Sequence, residues 1–390
     1  MRLLFSCTPL TGHLLPLLPL ARAAARAGHE VVIASGPDLC AEIERQGFAA
    51  WPVGPSMAEI RALMAGTVPE PGTAPGPERV FASALGMFIR PSGSRAVELR
   101  LRAEDWRPDV VVQEPYELGA GFVQPATGRR IVHGLGADYP RFADFVAMGH
   151  GQLSAMLGLP DPHRAYLDAP YLDPFPARLQ PPVRPWRDIR PIRPEAGIPV
   201  TGAADSGATL PESFRRLPYE RTVYLTLGTV FTAIERWRAL LAGVASLPVN
   251  VVATTGPGLD PAELGSLPTN VAAECFVPQA LILPHCSAVV CHAGAGTVLG
   301  ALSAGLPLVL LPAGADQFQN AAAVVRAGAG IMLAPEEVSA ATVAAAVRTV
   351  LDDAARRDAA RLLGRDLAAL PSADDALADV LSEARATVSG

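Results

Sequence analysis

The chain has 390 residues, half of them hydrophobic, which is enough for two domains with sizeable cores. Its formal net charge of −6 offers no basic surface to a nucleic-acid backbone, and no apolar run is long enough to cross a membrane. Five cysteines without CxxC spacing exclude a disulfide framework and a zinc site, and indicate reduced thiols in a cytoplasmic protein.

The first part of the chain alternates between predicted strands and helices. The predicted strands cover residues 2–7, 30–34 and 48–53, and the predicted helices cover residues 14–27 and 39–46. Such alternation predicts a parallel α/β sheet. His13 follows the first strand, at the carboxyl edge where open α/β sheets place their ligands.

Two carboxylates are predicted at the same edge as His13. Residues 109–113 predict a buried strand that leads directly to Glu114 and Glu117, and residues 131–135 predict one more strand. From Gly136 to about residue 218 the density of proline predicts irregular structure that ends in an interdomain linker.

A second α/β unit begins at about residue 222. Its predicted strands cover residues 222–227, 249–254 and 271–276, and alanine-rich helices are predicted over residues 340–351, 354–370 and 373–384. Between them lies the stretch 289–317, where an apolar run ends at His292 and a loop of small residues leads into a helix. A second apolar run then ends before Asp316 and Gln317.

The loop of small residues suits a bound diphosphate. Glycines after a strand let backbone N–H groups approach an anion, and the start of the next helix adds its dipole. Gly294, Gly296 and Gly300 also resemble a dinucleotide fingerprint, with Asp316 as a ribose ligand, so a nicotinamide-dependent oxidoreductase is an alternative.

Four sequence blocks resemble, in order, the bacterial family 1 glycosyltransferases of the GT-B fold that decorate natural products. The blocks are TGHLLPLLPLARAAARAGHEV, RPDVVVQEP, VYLTLGT and the stretch from NVAAECFVPQALILPHCSAVVCHAGAGT to LPLVLLPAGADQFQNA. The resemblance implies two Rossmann-like parallel-sheet domains that face each other across a cleft. It also implies an inverting, metal-independent transfer of a sugar from a nucleotide diphosphate to an acceptor hydroxyl, with no cofactor.

The resemblance also divides the chain. Residues 1–205 are expected to form the acceptor-binding domain, residues 206–220 the linker and residues 221–370 the nucleotide-sugar-binding domain. Residues 371–390 are expected to form a C-terminal helix that can pack back on the N-terminal domain.

The family's catalytic base falls on His13. A hydroxyl is a poor nucleophile, and a histidine can accept its proton at cellular pH. The base's carboxylate partner falls on Glu114, where many relatives carry Asp. Because Glu is one methylene longer, Glu117 stays open as the alternative partner.

The family's nucleotide-sugar site also maps onto this sequence. Phe276 is implied to stack on the base and the Val277 backbone to bind its edge, whereas Asp316 and Gln317 are implied to hold the sugar. The full set comprises Gly12, Gly228, Thr229, Phe276, Val277, His292, Gly294, Gly296, Thr297, Asp316 and Gln317. The resemblance implies that the diphosphate is bound by His292, the N–H groups of 294–297 and the hydroxyls of Thr229 and Thr297.

Gly300 favours a particular nucleotide. Relatives that use uridine diphosphate sugars often carry Glu eight residues after the motif histidine, where it accepts hydrogen bonds from the ribose. This chain has Gly300 there, which favours a deoxythymidine diphosphate (dTDP) sugar, with a uridine diphosphate (UDP) sugar as the alternative.

The acceptor is expected to be an apolar, polyketide-like aglycone. The candidate pocket residues are Phe81, Met87, Phe88, Phe142, Phe145 and Met148, with packing into the sheet core as the alternative. The expected partners are therefore a nucleotide-sugar donor and a small-molecule acceptor, and a homodimer is left open. The presence of His13, Glu114, His292 and Asp316 together argues against a non-catalytic relative that kept only the fold.

Overall fold

The protein contains two parallel β-sheets, each covered by helices on both faces, as the sequence predicts. The computed structural model describes residues 1–64, 85–139, 141–195, 209–228 and 234–387, with side chains described to residue 382. Within these residues no helix is both long and apolar enough to span a membrane.

The N-terminal sheet has seven parallel strands. They are β1 Arg2–Ser6, β2 Glu30–Ser35, β3 Ala49–Pro52, β4 Val110–Gln113, β5 Arg129–His133, β6 Pro170–Asp173 and β7 Asp188–Pro191, in the order β3-β2-β1-β4-β5-β6-β7. The interior strand β1 pairs with β2 through Leu3 and Val31 and with β4 through Leu3 and Val110. Ser6 and Gln113 end these two strands side by side, so the loops that follow them meet at one edge.

The N-terminal helices are α1 Thr11–Leu14, α2 Leu18–Arg26, α3 Pro37–Arg45, α4 Met57–Met64, α5 Arg90–Trp106, α6 Phe142–Leu157 and α7 His163–Leu167. The predicted helix over residues 14–27 therefore begins earlier, and a 3₁₀ turn at Leu15–Leu17 divides it. Pro16 and Pro19 lack backbone N–H donors, which explains the change of helix type. His13 thus lies inside the short helix α1.

The prediction of irregular structure from Gly136 onward is wrong for much of that segment. Helix α6 occupies sixteen residues of it, and β6 and β7 complete the sheet at its edge. Prolines made these two strands hard to predict. Pro170 is the first residue of β6 and Pro191 is the last residue of the edge strand β7, and both positions tolerate a residue without a backbone N–H.

The C-terminal sheet has six parallel strands. They are β8 Thr222–Thr226, β9 Asn250–Thr254, β10 Val271–Glu274, β11 Ala288–Cys291, β12 Leu308–Leu310 and β13 Gly330–Met332, in the order β10-β9-β8-β11-β12-β13. Its helices are α8 Glu212–Arg215, α9 Ile234–Ala245, α10 Gln279–Ile282, α11 Ala295–Ser303, α12 Gln317–Arg326, α13 Ala340–Asp352 and α14 Ala354–Ala368.

The last helix, α15 (Ala373–Thr387), returns to the N-terminal sheet. Ala376 and Leu377 are buried in the same apolar cluster as Leu3 and Phe5 of β1. Asp374 also forms an ion pair of 2.7 Å with Arg26 of α2. The chain therefore ends against its first domain.

Carboxyl edges of the two sheets face each other. The backbone N–H of Ala137, in the loop between β5 and α6, donates to Oδ1 of Asn320 on α12 at 2.9 Å. Tyr116 and Phe142 of the N-terminal domain line one narrow cavity together with Asp316 of the C-terminal domain. The loops that carry the predicted site residues thus meet between the sheets.

Candidate active site

His13 is held at the N-terminal edge of the cleft by two oxygen atoms. Its Nδ1 lies 3.1 Å from Oε1 of Glu114 and 2.8 Å from Oγ1 of Thr8. An ionised carboxylate only accepts hydrogen bonds, so we assign the proton of the neutral imidazole to Nδ1. Nε2 is then left with a lone pair that can accept a proton from a substrate.

Glu114 is buried and suited to remain ionised. Its carboxylate accepts the backbone N–H groups of Thr8 at 3.1 Å and Tyr116 at 2.7 Å. Burial alone would raise the pKa of Glu114, but the His13 charge and these hydrogen bonds outweigh it and hold the pKa below its usual value. The pair therefore fixes both the tautomer and the orientation of His13.

Glu117 has a different partner. Its Oε2 forms a 2.6 Å ion pair with Nη1 of Arg95, and both side chains are almost fully buried. Oε1 accepts the backbone N–H of Ala120 at 3.2 Å, and burial raises the pKa of this carboxyl above its usual value. Of the two candidates, Glu114 contacts His13 and Glu117 ties helix α5 to the segment after β4.

Aromatic side chains form one wall beside His13. The ring of His13 lies 5.7 Å from Phe88 and 5.8 Å from Tyr116, and Tyr116 contacts Phe142 at 5.5 Å and Phe145 at 5.9 Å between centroids. These rings give an acceptor an apolar surface next to the candidate base.

Burial divides the predicted acceptor-pocket residues. Phe142 and Phe145 both belong to the N-terminal core, although Phe142 also lines the narrow cavity with Asp316. Met87, Phe88 and Met148 are half-buried, and Phe81 lies outside the described residues. Phe145 is buried and its ring contacts those of Phe88 and Tyr116, so it supports the aromatic wall, and its contact with an acceptor stays a prediction.

His292 lies at the opposite edge, directly after β11. A Cβ atom at Gly228 would come within 2.6 Å of its ring, and one at Gly294 within 2.5 Å. These two glycines therefore make room for the imidazole, whereas Gly296 is exposed, with no atom within 4 Å of such a Cβ. Burial, followed by the nearby positive charge of Arg236, lowers the pKa of His292 to about 4, so the ring is neutral at cellular pH.

Helix α11 starts immediately beyond His292. No side chain caps it at Gly294, so its first backbone N–H groups remain available to an anion. The hydroxyl oxygen of Thr297 accepts a 3.0 Å hydrogen bond from Nε2 of Gln279, which fixes this side chain at the helix start. Thr229 lies outside the described residues, and Gly12 sits beside His13 in helix α1.

Two alanines adopt left-handed backbone conformations in the loops of this edge. Ala293 has φ of 65° and Ala315 has φ of 52°. Such conformations cost a non-glycine residue about 1–2 kcal/mol, and they concentrate where function constrains the backbone. Here Ala293 directly follows His292 and Ala315 directly precedes Asp316.

Asp316 and Gln317 have separate surroundings. Oδ2 of Asp316 accepts Nδ2 of Asn320 at 2.9 Å, and burial raises the pKa of this carboxyl even though Asn320 and the His13 charge oppose the rise. Oε1 of Gln317 accepts the backbone N–H groups of Ala313 and Gly314 at 2.8 and 3.2 Å. Gln317 thus holds its own loop, and only its amide NH₂ is left for a sugar.

Phe276 lies in the segment after β10, and 55% of its surface is exposed. An exposed aromatic ring is a suitable platform for a nucleotide base, whereas Val277 beside it is buried. Base stacking on Phe276 and base-edge bonding by the Val277 backbone stay predictions.

Comparisons with known proteins identify the chain's relatives. Residues 238–382 match the family described as "Erythromycin biosynthesis protein CIII-like, C-terminal domain". The chain is 31% identical to tylactone mycaminosyltransferase of Streptomyces fradiae over 95% of this chain and 90% of that protein. It is 30% identical to 10-deoxymethynolide desosaminyltransferase of Streptomyces venezuelae over 93% and 92%, respectively.

This chain belongs to the natural-product glycosyltransferases.

Solved structures confirm the GT-B fold of this glycosyltransferase. The glycosyltransferase SnogD from Streptomyces nogalater superposes with a TM-score of 0.75 at 26% identity, covering 98% of this chain and 99% of that one. The spinosyn rhamnosyltransferase SpnG complexed with thymidine diphosphate superposes with a TM-score of 0.78 at 27% identity, covering 98% and 100%. Family membership also rules out the oxidoreductase alternative.

Sequence reasoning missed three residues at the glycosyltransferase's site. Thr8 contacts His13, Asn320 contacts Asp316, and Arg236 donates to the carbonyl of Leu311 at 3.1 Å while its charge acts on His292. Thr8 and Asn320 lie within five residues of a predicted site residue, which was an available signal. Arg236 lies on α9, beyond the end of the VYLTLGT block at Thr229, and no pattern in the sequence marked it.

Proposed function

We propose that this glycosyltransferase transfers a sugar, with inversion and without a metal ion, from a dTDP-sugar to a hydroxyl of an apolar aglycone. The observation that carries the proposal is the arrangement of the cleft. A carboxylate-oriented imidazole stands on one edge, and a neutral imidazole with an open helix start stands on the other. Asp316 shares a cavity with Tyr116 between the two edges.

The proposed reaction is a single displacement. The acceptor oxygen bonds to the anomeric carbon while the bond from that carbon to the diphosphate oxygen breaks. The acceptor's proton passes to Nε2 of His13, and the diphosphate leaves with the bonding electrons. One displacement inverts the anomeric carbon, and Glu114 stabilises the imidazolium that forms.

Negative charge develops on the diphosphate as it leaves, and groups on the C-terminal edge can stabilise this charge. His292, the first N–H groups of α11 and the guanidinium of Arg236 lie there. Hydrogen bonds to a charged group are typically worth about 1.5–3 kcal/mol each, and those that strengthen as the bond breaks accelerate the reaction. These groups support a mechanism without a metal ion, so we expect chelators to leave the transfer rate unchanged.

The dTDP assignment depends on Gly300, which is buried within helix α11. A glycine there offers no side chain to a ribose 2′-hydroxyl. SpnG, a relative by structure, was solved with thymidine diphosphate, which is consistent with this assignment. A UDP-sugar remains the alternative donor.

Four nucleotides test the donor assignment, because they separate the sugar from the base. We expect thermal stabilisation by dTDP and by deoxyuridine diphosphate to exceed that by UDP and by 5-methyluridine diphosphate. One missing hydrogen bond corresponds to about 1 kcal/mol, or several-fold in affinity. Equal stabilisation by ribose and deoxyribose nucleotides would remove the argument from Gly300. The anomeric configuration of the product, determined by NMR, tests inversion.

A further inference from the structure

Asn320 joins the two domains through one buried carboxamide. Its Oδ1 accepts the backbone N–H of Ala137 at 2.9 Å, from a residue 183 positions earlier in the chain. Its Nδ2 donates to Oδ2 of Asp316 at 2.9 Å and to the carbonyl of Ala293 at 3.1 Å. The Asn320 side chain is fully buried, the bonds to Ala137 and Ala293 are also buried, and the bond to Asp316 is partly buried.

The N-terminal side of this contact fits closely. A Cβ atom at Gly136 would lie 2.8 Å from Oδ1 of Asn320 and 3.0 Å from Oδ2 of Asp316. Only a residue without a side chain allows the loop to approach this closely. Oε1 of Gln180 accepts the N–H of Asp138 at 2.8 Å, which anchors the loop on its own domain.

We propose that Asn320 is a positioning residue that docks the N-terminal loop and, in the same contact, fixes the Asp316 carboxylate opposite His13. This inference rests on the proposed role of Asp316 in holding the donor sugar. Asp316 would then be positioned to bind the donor sugar only when the two domains are docked. Docking would therefore align the sugar with the catalytic base His13.

A carboxamide suits this position because it accepts on one atom and donates on the other. An aspartate would keep the acceptor for Ala137 but place a carboxylate against Asp316 and against the Ala293 carbonyl. A leucine would lose all three bonds. Asn320 is therefore required for its pattern of donors and acceptors as well as for its size.

Two variants separate interdomain positioning from local support of the C-terminal loop. Asn320→Asp removes both donors, whereas Gly136→Ala removes no hydrogen-bonding group and only obstructs docking. Gly151→Ala is a matched control on the N-terminal domain, because a Cβ there meets nothing closer than 4.0 Å. Each variant is characterised by steady-state transfer to the best aglycone of the wild-type enzyme and by calorimetric titration with dTDP.

We expect Gly136→Ala and Asn320→Asp to lower kcat by about 10–100-fold, the size of effect expected when a reacting group is displaced by about 1 Å. In the predicted diphosphate loop, a Cβ at Gly136 would meet the Cβ of Ala295 at 3.4 Å, which is an ordinary van der Waals contact. The Kd of dTDP for Gly136→Ala should therefore stay within about twofold of wild type. Hydrogen exchange at the Ala137 amide should speed up in Gly136→Ala and remain slow in Asn320→Asp, which keeps its acceptor.

Other results would overturn the inference. If kcat of Gly136→Ala matched that of Gly151→Ala, docking would not position Asp316. If Asn320→Asp lost only affinity for dTDP, Asn320 would serve the Ala293 loop alone. Should Asn320→Asp fail to fold, Gly136→Ala decides by itself.

The proposed function fails in a distinguishable way. Asp316→Asn with wild-type transfer would refute the sugar-binding role of Asp316 whatever the Asn320 variants do. If the wild-type enzyme prefers UDP-sugars, the same variants are measured with UDP and a UDP-sugar, so the nucleotide assignment can fail without affecting this test.

Discussion

The two edges of the cleft place histidines in opposite environments. His13 keeps a carboxylate at 3.1 Å and a hydroxyl at 2.8 Å, with the carboxylate of Glu114 held ionised by backbone donors. His292 is enclosed by Gly228 and Gly294, and burial beside Arg236 lowers its pKa to about 4. One imidazole is prepared to take up a proton, and the other is prepared to stay neutral.

The same residue type therefore serves two tasks at the two edges of the cleft. A carboxylate partner stabilises the imidazolium formed when a base accepts a proton. A neutral imidazole in a tight glycine enclosure has a fixed position, and it can donate to a phosphate oxygen without changing charge.

The largest effect is expected for His13→Ala. Without its general base, transfer should fall by about 10²–10⁴-fold at saturating donor, because that is the usual contribution of such a group. Initial rates of product formation, with mass-spectrometric detection, measure it. Near-normal transfer would place the base elsewhere, and Glu114 would be the next candidate because Glu117 is paired with Arg95.

A smaller loss is expected for Glu114→Gln, about 10–100-fold in kcat, since the imidazole stays but loses its orienting charge. Glu117→Gln is the matched comparison. It breaks a buried ion pair with Arg95, so it should cost about 3–5 kcal/mol of stability while the folded enzyme keeps its rate. Melting curves and kcat of both variants distinguish them. If Glu117→Gln reduced kcat and Glu114→Gln did not, the partner would be misassigned.

His292→Ala should weaken nucleotide binding by about tenfold or more, because one hydrogen bond to a charged phosphate is lost. Gly294→Ala should act in the same direction, since its Cβ would lie 2.5 Å from Nε2 of His292 and displace the ring. Calorimetric Kd values measure both. A Gly294→Ala enzyme with normal affinity would show that the enclosure does not position His292.

The smallest effect concerns how the free energy of unfolding changes with pH, and it is expected to differ between His292 and Glu114. The pKa of His292 is about 4 in the folded protein and about 6.5 in the unfolded chain. The contribution of His292 to the free energy of unfolding is therefore complete above pH 6.5, and it declines as the pH falls toward 4. The lowered pKa of Glu114 stabilises the folded protein fully above the unfolded pKa of about 4.3, and this stabilisation is lost only as the pH falls below that value.

Denaturant titrations at pH 7 and pH 5 test this difference. His292→Ala should show a smaller loss of unfolding free energy between the two pH values than wild type, by about 1–2 kcal/mol. Glu114→Gln should lose as much as wild type over that range. Equal losses in wild type and His292→Ala would contradict the neutral state of His292.

Sequence patterns located most of the fold because its central strands are continuous apolar runs. Strands β1, β4, β8 and β11 are fully or almost fully buried, so their hydrophobicity marks them unambiguously. Strand β6 and the edge strand β7 are short and contain proline, and they escaped prediction. Their formation depends on a neighbour already in place, which a local pattern does not show.

Some residues of the candidate site could likewise be placed from the sequence, whereas others could not. Motif residues such as His13, His292 and Asp316 follow predicted strands, so their position at the sheet edge could be inferred from strand order. The choice between Glu114 and Glu117 required knowing that Arg95 neutralises one of them. The contact of Asn320 with Ala137 joins residues 183 positions apart, and no local pattern encodes it.

We propose that proton transfer and nucleotide binding are divided between the two edges of the cleft. Calorimetric titration of His13→Ala and His292→Ala with the nucleoside diphosphate that wild type binds more tightly tests it most directly. We predict a Kd for His13→Ala within about twofold of wild type and a Kd for His292→Ala at least about tenfold weaker. Equal weakening in both variants, or no weakening in His292→Ala, would contradict it.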